Sequence, residues 1–118
     1  MDNEKIIADI TEKWTARKEH LTNLFRNREK SAVKEPMDET LDAFLTFLFV
    51  MNGKKRPPDK EILQNGLKDL DYKPINLDER LSFILKKPSQ YHSFVQLNEL
   101  YHELLKLYAK TKIRKHKK

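Results

Sequence analysis

The chain has no cysteine. That removes disulfides, thiolate zinc and iron–sulfur sites and thiol catalysis together, and it suits the reducing cytoplasm, where the protein is expected to reside. Glycine is nearly as scarce, with two residues in 118. A hairpin-rich β protein would need more, because tight strand turns call for left-handed backbone. Long apolar runs are missing too. The densest, Phe44 to Met51, contains Thr46 and falls far short of the roughly 20 residues that span a bilayer. The N-terminus reads Met-Asp-Asn-Glu-Lys rather than a basic start followed by an apolar stretch, so no secretory leader is expected.

What is present points to helices. Sixteen leucines stand among many Lys and Glu, hydrophobic residues make up 38% and charged residues 36%. A chain of this length builds one core without staples. The net charge of +6 is unevenly placed. Lys110, Lys112, Arg114, Lys115, Lys117 and Lys118 crowd the last nine residues, and removing those six from 24 basic residues leaves 18, against 18 acidic ones. A charge-balanced domain over 1–109 and a basic tail over 110–118 are therefore expected.

Periodicity divides the domain into about five helices. Ile6, Ile7, Ile10, Trp14, Leu21, Leu24 and Phe25 share one stripe and predict an amphipathic helix over about 3–28. The pattern lapses from Glu29 to Asp38, and Pro36 reads as a linker. A second helix is expected over 39–52, with Asp38 as N-cap and Gly53 just past its end. Its apolar residues run nearly all the way round, which predicts the buried central helix of the bundle. A third helix is expected over about 60–70, capped by Asp59 and presenting Leu63, Leu67 and Leu70. Asn76 and Glu79 suggest a capping box for a fourth, with Leu77, Leu81, Ile84 and Leu85 inward and Pro88 as its stop. The fifth, about 90–112, is capped by Ser89 and carries Phe94, Leu97, Leu100, Tyr101, Leu104, Leu105, Leu107 and Tyr108 on its apolar arc. The fold class is all-α, a compact helical bundle.

Within the second half, Pro74 and Asn76, Glu79-Arg80, Pro88, Tyr91-His92-Ser93 and Gln96-Leu97 form a pattern that resembles the YpoC-like family of small bacterial proteins from bacilli and their relatives. The resemblance implies a helical domain and a cytoplasmic setting. It implies no mechanism.

Several constellations invite chemistry. His102-Glu103 with Lys106 falls one residue short of the helical zinc-protease motif, since a cation stands where the second histidine would be. His92, Gln96, Glu99 and Glu103 share one polar strip, either a weak ligand site or a solvated face. Glu79, Arg80, Tyr91 and His92 flank the Pro88 corner. There Arg80 would suit a carboxylate or phosphate of a partner, or would serve as a clamp on another helix. Tyr91, Val95 and Phe83 fall off the inner faces, either as an apolar patch for a partner or under cover of neighbours. No nucleophile–base pairing, phosphate loop, metal set or cofactor motif is present, so a non-enzyme without cofactor or metal is expected.

Two functional readings follow. The first is a helical interaction or adaptor protein that docks a protein partner through Glu79, Arg80, Tyr91, His92 and Gln96. The alternative is a nucleic-acid accessory protein, bound weakly and without sequence specificity through the tail cations, helped by Lys54, Lys55 and Arg56. The tail could also meet an anionic membrane surface, a reading that ranks below nucleic acid, or simply solubilise the chain.

Overall fold

The computed structural model describes residues 3–58 and 62–116. In chain order these form α1 (Asn3–Arg26), α2 (Lys30–Met51), a π-helical turn (Ile62–Gly66), α3 (Leu77–Lys86) and α4 (Tyr91–His116), with no strand among the described residues. The all-helical class holds, with four α-helices among the described residues where about five were expected.

The difference lies at the third. Within the expected 60–70 helix, the described residues make one π-helical turn, Ile62–Gly66, followed by turns to Asp69. Gly66 weakens an α-helix there by about 1 kcal/mol relative to alanine, and Pro74 bars its continuation. Ile62, Leu67 and Leu70 still reach the core. The proposed cap Asp59 and the side chain of Leu63 lie outside the described residues.

The second helix starts nine residues earlier than expected. α2 begins at Lys30 and runs straight through Pro36, although proline there removes a backbone donor and costs about 3 kcal/mol. Burial outweighs that cost. Val33, Met37, Leu41 and Phe44 follow one another at helical spacing into the core and carry the apolar stripe across the proline. Asp38 is therefore no cap, and its carboxylate pairs with Lys34 at 2.9 Å. Leu41, Phe44, Leu45, Phe47, Leu48 and Phe49 are buried, while Lys34, Glu35, Asp38, Glu39 and Asp42 form an exposed edge, so α2 is not enclosed on all sides.

Both ends of the α1–α2 hairpin are closed by the same hydrogen-bonding device. After α2, Gly53 adopts φ +66, its N–H donates to Val50 O, and the Lys54 N–H donates to Phe49 O. This is a Schellman termination with glycine at the left-handed position. After α1 the pattern recurs, with Arg28 N–H to Phe25 O and Glu29 N–H to Leu24 O, but the left-handed residue is Arg28 at φ +56. Asn52 then fixes the following loop: its amide donates to Leu48 O and Tyr72 O and accepts from the Tyr72 N–H.

α4 runs antiparallel to α1, and the contacts that set its register are aromatic. Tyr101 stacks on Trp14 with centroids 4.1 Å apart and meets Phe44 edge-on at 5.2 Å. Its hydroxyl donates to Thr40 O at 2.7 Å. Phe25 stacks on Phe94 at one end of the pair, and Phe47 meets Tyr108 near the other. α3 packs against α4 through a tight corner in which the buried Ser93 hydroxyl donates to Lys87 O. Asn76, the residue before α3, sits at φ +55 and makes no side-chain cap; its carbonyl accepts the Arg80 N–H. Leu85, expected inward, is 47% exposed.

The two Schellman turns differ in one residue, which sets a test. Arg28 carries a Cβ in backbone that costs an L-residue about 1–2 kcal/mol, and glycine returns part of that gain through its freer unfolded chain. Arg28→Gly should raise stability by about 0.5–1 kcal/mol, a Tm increase of roughly 3–6 °C by calorimetry. A decrease would show that the Arg28 side chain holds the turn.

Candidate functional site

The five residues singled out near the Pro88 corner do not form one cluster. Arg80 and Gln96 are together. The Arg80 guanidinium reaches across from α3 and grips Glu103 through both terminal nitrogens, with Nη1 to Oε1 at 2.9 Å. Its Nε donates to Gln96 Oε1 at 3.3 Å, Nη1 also donates to Ile75 O, and Glu99 lies 3.8 Å from Nη2. Four of the five N–H groups are thereby engaged, and the side chain is only 16% exposed.

This geometry follows from the hairpin. Arg80 lies eight residues before Pro88, about 12 Å along α3, and the same distance beyond the corner on α4 reaches Gln96. A residue near the start of α3 cannot meet Tyr91 at the start of α4, so the expected cluster of Glu79, Arg80, Tyr91 and His92 does not form. Its true partners, Glu99 and Glu103, were visible in the sequence as a polar strip and were not connected to Arg80. The bidentate bond is strong because both ends are charged. The hydrogen bond from Arg80 holds the Glu103 carboxyl below its ordinary range, and the same bond raises the guanidinium.

His92 turns toward α3 and meets the Phe83 ring edge-on at 5.1 Å. Glu79 is exposed on the outer side of α3. Tyr91 faces the other way, toward α1, with its ring edge-on to Phe25 at 5.6 Å and 62% of its surface open. Beside it lies a hollow of about 660 Å³ between the α1–α2 turn and the α3–α4 corner, lined by Phe25, Arg28, Glu29, Lys30, Ser89, Gln90, Tyr91 and His92. Phe25, Arg28 and Lys30 were not anticipated as neighbours of Tyr91. A helical wheel gives a residue's direction around its own axis and not which helix lies there.

The basic residues are also divided. Lys54 and Lys55 are exposed just after Gly53. Arg56 instead folds back onto α2, pairing with Asp42 at 2.7 Å and donating to Thr46 Oγ1. It forms the rim of a cleft of about 340 Å³ between α2 and α3, over Leu41, Leu45, Leu81 and Leu85. α4 continues past Lys112 to His116. Lys110 is exposed, and the Lys112 ammonium lies 5.5 Å from the Tyr108 ring centroid. The side chains of Arg114 and Lys115, on the last turns of α4, and all of Lys117 and Lys118 lie outside the described residues. Gly53 and Lys112 border one cleft, so the loop and the end of α4 share the pole opposite Tyr91. Among the described residues no cluster of His, Asp or Glu could hold a metal ion, and no helix is long and apolar enough to cross a membrane.

The sequence profile described as YpoC-like protein matches residues 4–116. The chain belongs to the YpoC-like family. Its similarity to the Uncharacterized protein YpoC of Bacillus subtilis strain 168 is 33% identity over 111 residues, which covers 92% of this chain and 66% of that protein. The chain thus spans just under two thirds of the relative's length. No solved structure matches it. The described part of the family region therefore contains both the Arg80–Glu103 bridge and the Tyr91 hollow.

The bridge makes a pH prediction. Glu103 titrates lower in the folded chain than in the unfolded one, so its stabilisation is present above the unfolded value of about 4.5 and is lost as pH falls through the folded value. Glu103→Gln should cost about 1 kcal/mol at pH 7 in urea unfolding, and the difference from wild type should shrink below pH 4.5. An unchanged difference at pH 3 would show that the charge contributes nothing.

Proposed function

We propose that the chain is a non-enzymatic helical interaction module that docks another protein at the pole formed by the α1–α2 turn and the α3–α4 corner. The observation that carries this reading is Tyr91, a large aromatic side chain left 62% exposed beside a hollow bounded by two connections. Exposed tyrosines next to concavities are favoured anchors in protein recognition, because they bury much area while ordering few torsions. A non-catalytic role is supported by the polar strip on α4, where Glu99 and Glu103 face Arg80 and His92 packs against Phe83.

The test is affinity capture with the full chain from its host's lysate. Wild type should retain one stoichiometric protein, and Tyr91→Ser should retain it about ten-fold less. Equal retention by the two, or none by wild type, would overturn the reading.

The alternative, weak nucleic-acid contact, draws support from the opposite pole, where Lys54, Lys55 and Lys110 are exposed and the Gly53 turn adjoins Lys112. Each phosphate neutralised contributes about −0.9 to the log–log salt slope on duplex DNA. Gel shifts at low salt with the triple variant Lys54→Gln, Lys55→Gln, Lys110→Gln should show binding weakened and the slope reduced by about 3. Unchanged binding would remove this reading.

A further inference from the structure

We infer that the Tyr91 hollow receives an acidic segment of the partner protein, with an aromatic or apolar side chain laid against Tyr91 and carboxylates facing Arg28 and Lys30. The inference rests on the docking reading above and specifies the chemistry of what docks.

The argument is one of unmet charge. Elsewhere several cations are answered by acids: Lys13 by Asp9, Lys34 by Asp38, Arg56 by Asp42 and Arg80 by Glu103. The four nearest Tyr91 are not. Arg28 and Lys30 line the hollow with Glu29 as the one acid between them, and Arg26 and Lys87 flank it along the chain. All four cations have exposed side chains, and none forms an ion pair with a described residue. Two cations against one acid thus line the hollow, and two more cations flank it along the chain, beside the most exposed aromatic ring among the described residues.

The backbone adds a second observation. Arg28 stands at a left-handed position where the equivalent turn after α2 uses glycine. Non-glycine residues held in such backbone are enriched at ligand-binding sites, where the side chain's role offsets the strain. Here that side chain lines the hollow. Phe25 supplies an apolar wall beside Tyr91, so the hollow offers an aromatic contact and two cations within one concavity. Acidic peptides with an aromatic residue match both, and electrostatic complementarity of this kind sets partner choice and on-rate.

The experiment uses the full chain, 15N-labelled, titrated with a short synthetic peptide of Asp and Glu around one central Phe, and with its counterpart in which Lys replaces every acid. The acidic peptide should shift the amides of Phe25, Arg28, Lys30 and Tyr91 in a saturable manner, and the Lys peptide should not. Raising salt from about 0.05 to 0.5 M should weaken the acidic peptide several-fold. Arg28→Gly and Lys30→Gln should each weaken it about three-fold, and Tyr91→Ser about ten-fold, with thermal melts confirming that each variant folds.

Equal shifts from both peptides would overturn the acidic chemistry and leave the docking surface standing. No shifts from either, with lysate capture still dependent on Tyr91, would have the same meaning; loss of that dependence would overturn both. An oligonucleotide that displaces the acidic peptide while shifting the same amides would assign the hollow to nucleic acid instead. Self-association by sedimentation that Tyr91→Ser abolishes would make the occupant a second copy of this chain.

Discussion

Tyr101 is where three of the four helices meet, and the placement of every surface feature depends on it. Its ring lies flat on Trp14 of α1 and edge-on to Phe44 of α2, and its hydroxyl bonds to a carbonyl one turn earlier on α2. Stacked aromatics and a buried hydrogen bond together define both rotation and height, which aliphatic packing alone leaves looser. Burial drives the phenol well above the ordinary tyrosine range, so it remains a donor at any physiological pH. With α4 locked there, its first residue arrives beside Phe25, and its last described turns pass the end of α2. The Tyr91 pole and the basic pole are consequences of one register.

Much of this was legible in the sequence, and the failures share a cause. Stripes such as Ile7, Ile10, Trp14, Leu21 and Leu24 are properties of a single helix, and all five residues are buried. Gly53 ended α2 as expected because a left-handed turn is a local requirement. Pro36 misled because its cost is local while its compensation, the burial of Val33 and Met37, is tertiary. The π-helical turn had no signature in the pattern of Leu63, Leu67 and Leu70. Arg80 is the clamp onto another helix that the sequence offered, but its acid went unnamed: the hairpin register about Pro88 is arithmetic on residue numbers, and it leads from Arg80 to Gln96 and onward to Glu103.

The charge pattern separates structural from available residues. Arg80 has nearly all its donors satisfied within the fold, so it joins α3 to α4, and a ligand would have to compete with Glu103 for it. Arg56 is similarly committed to Asp42. The cations without an ion pair among the described residues include those around Tyr91 and Lys54 and Lys55 near Gly53, at opposite poles of a molecule 50 Å long. A net charge summed over the whole chain conceals this distribution.

The connection between α2 and α3 has a kinetic meaning. α1 and α2 are joined by three residues and α3 and α4 by four, so each pair closes over a short loop and forms largely from local contacts. The stretch from Asn52 to Asn76 separates the two hairpins, and Asn52 pins its far end at Tyr72. Joining the halves closes the longest connection of the fold, and the Tyr101 ring meets Trp14 and Phe44 across that junction.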